Sequence, residues 1–320
     1  MTQRIGIVTG GGDCPGLNAV IRAVSKAAAK RGWEAIGFIG GYEGMLEPPK
    51  YRSLNYQELG GLLTRGGTIL GTANRGLFSA KIGHGESRGL PRELIDGVKA
   101  TMEKMNICGL VSIGGDGSLS IAQQLFEGGV PIVGVPKTID NDLRGTLFTF
   151  GFDSAVACAT DALDRLHTTA ESHNRVIVLE VMGRYAGWIA VYAGVAGGAD
   201  VILIPEIRFT YESVCAKIRE REQNGKHFSI IIAAEGAREK DRGFVTAAGQ
   251  EENREARLGG IGAVVAAEVE KRTGKESRVC VLGHLQRGGS PTKFDRIART
   301  ISASTQRSSR VSQCRSASTM

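Results

Sequence analysis

Along the chain, short apolar runs alternate with longer segments whose apolar positions recur every three or four residues. Arg4 to Thr9 (RIGIVT) reads as a buried strand, and Leu17 to Arg31 carries Ala19, Val20, Ala23, Val24 and Ala27 on one helix face. Trp33 to Ile39 is the next strand, and Pro91 to Met105 is a helix with proline near its start. From Ile107 to Asp142 two apolar strands flank a short helix, and each strand ends in a polar loop. Asp153 to Ala170 reads as a helix, Arg175 to Val181 as a strand, and a helix follows to about Ala196. Asp200 to Ile204 and Lys226 to Ala234 are strands around a helix from Tyr211 to Gln223. A helix from Leu258 to Arg272, a strand from Ser277 to Leu282 and a helix beginning around Asp295 close the pattern. This alternation predicts a doubly wound α/β fold, with two Rossmann-like lobes of mostly parallel sheet.

Other stretches break the pattern. Residues 40–92 read mostly as loop, with ligand-facing backbone expected at 64–68 and 71–76. Residues 236–257 read as a solvated polar insertion. Residues 302–320 contain no acidic residue and no apolar period, which predicts disorder or marginal helix.

The 320 residues suit two lobes, and 42% hydrophobic content is ample for a core. The 45 glycines follow no Gly-X-Y period, which excludes a collagen-like chain, and they concentrate at strand ends. A net charge of +7 with only 6% aromatic residues favours small phosphorylated ligands over single-stranded nucleic acid, so no nucleic-acid partner is expected. No apolar run is long enough to span a membrane, and the six cysteines lack C-x-x-C spacing. A reducing, cytoplasmic setting is expected.

Loops leaving the C-terminal ends of neighbouring parallel strands share one crevice. The pattern therefore brings Gly114, Gly115, Asp116, Gly117 and Ser118 toward Lys137, Thr138, Asp140, Asn141 and Asp142. The turn Gly10-Gly11-Gly12-Asp13 opens a helix, where free N–H groups and the helix dipole favour an anion. Asp116 and Asp142 are candidate Mg²⁺ partners, because Mg²⁺ takes one or two carboxylates beside phosphate oxygens. Asp140 is the candidate base, a role worth roughly 10²–10⁴-fold. Arg175, Arg184, Arg278 and Arg287 sit at or just beyond strand ends, where a guanidinium fork matches phosphate oxygens. Glu235 and His284 end strands in the same way and could meet sugar hydroxyls and a phosphate.

Taken in order, TGGGDCPGLNA, GGDGS, PKTIDND, SHNR (172–175), VMGRYAG (181–187) and VLGHLQRGGSP (281–291) resemble the motifs of the phosphofructokinase family over roughly residues 3–299. GGDG alone is shared with lipid and NAD kinases; the ordered set is specific. The resemblance implies ATP and Mg²⁺ in a nucleotide-binding lobe (1–150 plus about 258–300) and fructose 6-phosphate in a sugar-phosphate lobe (151–257). Residues 301–320 are expected to form a disordered or aberrant tail. Asp140 would be the base, Thr138 and Arg184 would stabilise the transferring phosphoryl group, and Asp116 and Asp142 would serve the metal. Gly11 would hold phosphate by its N–H, with Gly12, Arg75, Gly115, Asp116, Gly117 and Ser118 around the nucleotide. Met182, Gly183, Glu235, His284 and Arg287, with Thr138, Asp140 and Arg184, would bind the sugar phosphate. Arg175 and Arg278 would be lent by a neighbouring subunit, which implies a homotetramer or at least a dimer.

Gly117 and Lys137 stand at the positions that sort phosphoryl donors in that family. Glycine at the first leaves room for ATP, whereas lysine at the second is the pyrophosphate-type residue. Steric exclusion is the stricter filter, so Gly117 implies ATP and leaves pyrophosphate as the alternative. Bacterial allosteric members place arginines in an effector pocket; Arg22 and Lys26 keep positive charge at two such positions, while Tyr56 and His167 stand where arginines are expected. The family continues after FDRI with an apolar helix, a strand and a closing helix. Residues 302–320 have none of that character and look like a truncated or frame-shifted end, which raises a second alternative, an inactive ligand-binding subunit.

Overall fold

A computed structural model describes residues 2–73, 76–78, 81–82, 86–87, 89–240, 242–246 and 258–297. The expectations for Arg75 and for residues 301–320 fall outside them. The chain divides into two compact units, one of residues 1–138, 143–151 and 287–320, the other of residues 139–142 and 152–286.

The first unit is built on strands β1 (Arg4–Thr9), β2 (Glu34–Phe38), β3 (Tyr51–Ser53), β6 (Ile107–Gly114) and β7 (Ile132–Pro136), in the order β3-β2-β1-β6-β7. All pair in parallel except the edge strand β3. The two-residue strands β4 (Lys81–Ile82) and β5 (Glu86–Ser87) make a separate antiparallel pair. Helices α1 (Leu17–Ala29), α2 (Arg92–Lys104) and α3 (Asp116–Glu127) follow β1, β5 and β6. On α1 the buried residues Leu17, Val20, Ile21, Val24 and Ala28 recur at helix spacing; of the face read from the sequence, Ala19, Val20 and Val24 are buried, while Ala23 and Ala27 are only half-buried because the inward face is turned toward Leu17 and Ile21. Val8, Ile36, Phe38, Met45, Leu110 and Leu125 form the centre of the core. A Cβ on Gly6 would stand 2.4 Å from a Leu110 methyl carbon, so any larger residue there would displace that core side chain.

The second unit carries an all-parallel sheet in the order β11-β8-β10-β9, from β8 (Val176–Val181), β9 (Val201–Leu203), β10 (Ser229–Ala234) and β11 (Ser277–Val281). Every residue of β8 and β10 is buried, as expected of strands covered on both faces. Its helices are α4 (Phe152–His173), α5 (Trp188–Ala196), α6 (Tyr211–Gln223) and α7 (Ile261–Thr273). Thr210 starts α6 by accepting the Ser213 N–H on its hydroxyl at 3.2 Å.

One boundary differs from the sequence reading, which gave residues 258–300 to the first lobe. Strand β11 pairs with β8 along its whole length, and Val265 and Val269 of α7 pack in the core with Val176 and Val178. Residues up to Gln286 therefore belong to the second unit, and only Arg287 onward returns to the first. In the insertion after β10, Thr246 bridges Leu258 in antiparallel fashion and Phe244 is half-buried, so its described part is not simply a solvated loop.

Candidate active site

In the first unit three loops meet at the C-terminal ends of β1, β6 and β7. The chain leaves β1 toward β2 on one side and reaches β6 on the other, so this crest lies at a topological switch point, where open α/β sheets bind ligands. Gly11 takes φ +75°, and the Gly10 N–H donates to Ile113 at 2.9 Å. The Lys137 N–H donates to the Gly114 carbonyl at 2.9 Å, and the Lys137 ammonium donates to the carbonyl of Gly12. The three loops predicted from sequence are thus bonded to one another.

Helix α3 begins at Asp116 with Gly115 as its extended N-cap, so the N–H groups of its first turn stand at the crest. Asp116 is exposed there. Gly117 is the second residue of the helix, and a Cβ on it would meet nothing within 4 Å. Ser118 is placed differently from expectation. Its side chain is buried between Gly10 and Gly114, where a Cβ would come within 2.5 and 2.3 Å of it, so it wedges the loops together rather than lining an open site. The Gly11 N–H leans on the Ala73 carbonyl at 3.4 Å, a long bond that a phosphate oxygen could replace.

Arg287 belongs to this crest as well. Its Nη1 donates to the Asp13 carbonyl at 3.4 Å, and a Cβ on Gly12 would lie 2.5 Å from it. Sequence reasoning missed Asn18. Wholly buried on α1, it donates to the Arg65 and Gly66 carbonyls at 3.0 and 3.1 Å and accepts the Ile69 N–H at 2.9 Å. It holds the 64–69 loop in shape. An asparagine on an apolar helix face was the available signal.

In the second unit Met182, Gly183 and Arg184 leave β8, Glu235 leaves β10, and His284 lies exposed in the 3₁₀ turn Gly283–Arg287 beyond β11. The Glu235 N–H donates to Val181 at 2.8 Å and the Gly236 N–H to Gly183 at 3.0 Å, so these exit loops also run together. Gln286 is wholly buried; its Oε1 accepts the Met182 N–H at 3.3 Å and its Nε2 donates to the Gly283 carbonyl at 3.1 Å. Asp140 and Asp142 flank Asn141, whose φ of 52° turns the backbone sharply between them. The Asp140 Oδ1 is buried, and Asp142 is exposed.

Two arginines lie elsewhere. Arg175 precedes β8 and Arg278 is the second residue of β11, at the opposite end of the sheet from Met182, about 20 Å along an extended strand. Both pair with Glu276, Arg175 Nε at 2.7 Å from Oε2 and Arg278 through Nη2 to Oε1. The Arg175 hydrogen bond, aided by both guanidinium charges, holds the Glu276 carboxyl below its ordinary range. Of the charge positions compared with an effector pocket, Tyr56 takes the Arg22 guanidinium 5.2 Å and the Lys26 ammonium 5.6 Å over its ring. His167 instead meets the Gly197 carbonyl at 2.8 Å.

Among the described residues no cluster of three or more His, Cys, Asp or Glu side chains stands ready to hold a metal. The donor set suits Mg²⁺ carried in with phosphate oxygens, which needs only one or two carboxylates such as the exposed Asp116.

Crest, switch point and glycine-rich helix start define a phosphate-handling α/β protein. Residues 4–307 match the phosphofructokinase family model. The chain is 56% identical over 298 residues to the ATP-dependent 6-phosphofructokinase of Chloroflexus aurantiacus, covering 93% of this chain and 81% of that one. It is 47% identical over 301 residues to the pyrophosphate–fructose 6-phosphate 1-phosphotransferase of Amycolatopsis mediterranei, covering 93% and 84%. It superposes on phosphofructokinase from Saccharomyces cerevisiae with a TM-score of 0.78 at 31% identity, covering 94% of this chain and spanning only 41% of that one. The chain belongs to the phosphofructokinase family.

Proposed function

We propose that this chain transfers the γ-phosphoryl group of ATP to the C1 hydroxyl of fructose 6-phosphate, giving fructose 1,6-bisphosphate. The observation that carries the reading is Gly117. Glycine inside a helix is destabilising by about 0.5–1 kcal/mol relative to alanine. Packing does not require it at a position where a Cβ would touch nothing. Free volume beside an anion-attracting helix start suits the bulk of a nucleoside triphosphate.

In this reading the N–H of Gly11 and the first turn of α3 hold phosphates, and Gly12 and Gly115 let the backbone approach them. Asp140 accepts the hydroxyl proton as the O–P bond forms, while Thr138 and Arg184 stabilise charge on the moving phosphoryl group. Asp116 and Asp142 would hold Mg²⁺, which supplies charge neutralisation on the phosphates when bound. Met182, Gly183, Glu235, His284 and Arg287 bind the sugar phosphate. Arg175 and Arg278, at the far end of their sheet, would reach the site of a neighbouring copy, so a homotetramer, or at least a dimer, is proposed. Trp188, Tyr192 and Val195, exposed along one face of α5, support self-association. A reducing, cytoplasmic location agrees with thiols at Cys158, Cys215 and Cys280 that form no disulfide among the described residues. No helix among the described residues is long and apolar enough to cross a membrane.

Lys137 favours a second reading, with pyrophosphate as donor, because its ammonium stands at the crest. A coupled assay of fructose 1,6-bisphosphate formation with each donor tests both. The expected result is turnover with ATP at least about tenfold above that with pyrophosphate, a margin of about 1.4 kcal/mol. Turnover with pyrophosphate alone overturns the donor, and ligand binding without turnover with either overturns the activity.

A further inference from the structure

In the second unit four side chains form a row in which two paired rings are flanked by a cation at each end. The Arg184 guanidinium carbon lies 5.7 Å from the centre of the Tyr185 ring. Tyr185 meets Phe244 nearly edge to face, with centroids 6.3 Å apart and planes at 76°. On the far side the Arg238 guanidinium carbon lies 4.2 Å from the Phe244 ring centre. The Nε of Arg238 is buried and finds no hydrogen-bond partner among the described residues, which leaves the Phe244 ring face as its neighbour on that side. Each guanidinium is attracted to the negative face of its ring, and the edge-to-face pair keeps the two positive charges apart.

The backbone beneath the stack is fixed. The Gly236 N–H donates to the Gly183 carbonyl at 3.0 Å, and a Cβ on Gly236 would stand 2.0 Å from the Arg184 carbonyl oxygen. The loop after β10 therefore seats directly on the loop that carries Arg184. With the main chain held, the remaining freedom of Arg184 is in its long, rotamer-rich side chain. The stack limits that freedom.

The geometry points to Phe244 and Arg238 as positioning residues for Arg184. They hold its guanidinium, through Tyr185, in the orientation that meets the transferring phosphoryl group. Phe244 lies 60 positions from Arg184 in a segment that reads as polar loop, so nothing in the motif pattern singles it out. This inference rests on the role proposed above for Arg184 and assigns partners to it.

Steady-state kinetics on the full chain, with ATP and fructose 6-phosphate, test it. Phe244→Ala is expected to lower kcat about three- to tenfold while both KM values move less than about twofold. Phe244→Tyr, which keeps the ring, is expected to restore kcat, whereas Phe244→Leu, which keeps only bulk, is not. In an Arg184→Lys background Phe244→Ala is expected to cost less than about twofold, because the planar guanidinium is already gone. Unchanged kcat in Phe244→Ala, equal rescue by Leu and Tyr, or an undiminished loss in the Arg184→Lys background overturns the inference. If Arg184→Ala itself leaves turnover unchanged, the failure lies in the proposed role of Arg184, and the stack then positions nothing that reacts.

Discussion

The Lys137 ammonium donates to the carbonyl oxygen of Gly12, tying the loop after β7 to the turn after β1. The lysine is only 4% exposed, so this bond is largely shielded from bulk water. A buried hydrogen bond to a charged group contributes about 1.5–3 kcal/mol. Lys137→Ala is therefore expected to lower the free energy of unfolding by about that much, and Lys137→Met, which keeps the stem, to recover only the packing share. Urea denaturation of the two variants measures this; a loss below about 0.5 kcal/mol in both would mean that the tether does not stabilise the crest.

Gly117 makes the opposite prediction, a large functional effect without a structural one. Its Cβ position is open, so Gly117→Ala should fold as well as the parent or gain about 0.5–1 kcal/mol of helix stability. Gly117→Asp should fold equally well but place a carboxylate where a triphosphate lies. The expected outcome is at least a tenfold rise in the KM for ATP with a much smaller change for pyrophosphate. An unchanged KM for ATP in Gly117→Asp would show that the open volume is not where the nucleotide sits.

Much of this was legible in the sequence, and the failures have a common physical cause. RIGIVT bounded by three glycines and the helix opening at Tyr211 read correctly, because local patterning and a Thr210 cap fix those ends. The order of the crest loops followed from parallel pairing of β6 with β7. The membership of β11 was not legible, since which sheet a strand joins depends on a partner a hundred residues away. Asn18, Gln286 and Glu180 escaped for the same reason. Asn18 and Glu180 are single polar residues inside apolar segments and Gln286 sits in a polar turn, and the meaning of each appears only when its distant hydrogen-bond partner is located.

Asp140 carries the proposed proton transfer. A sugar hydroxyl is a very weak acid, so a positioned carboxylate has to accept its proton as the new bond forms. Asp140→Ser keeps a small polar side chain beside the sharply turned Asn141 but removes the base. Turnover is expected to fall at least about a hundredfold, while fructose 6-phosphate, measured by calorimetry, binds within about threefold of the parent. Turnover within about tenfold of the parent would remove the assignment of Asp140.

Glu180 is a lone acid in the buried strand VIVLEV, 3% exposed. Its carboxylate accepts the Gly260 N–H at 3.0 Å and the Gly262 N–H at 2.7 Å, so it caps the N-terminus of α7 from the neighbouring strand. The helix dipole favours the negative charge there, and the carboxylate satisfies backbone donors that the helix leaves over. Glu180→Gln keeps the shape but replaces a charge-assisted acceptor by a neutral one and turns an NH₂ group toward N–H donors. A loss of about 1–3 kcal/mol is expected. Glu180→Ala should lose more, about 3–5 kcal/mol, because it also leaves a cavity and stranded donors beneath β11. Since β11 and α7 lean on this contact, the loss should appear as earlier unfolding in urea, with amide exchange accelerated first in residues 261–281. If exchange there stays as slow as in β10, then α7 is held by its apolar packing on Val176 and Val178, and the carboxylate is incidental.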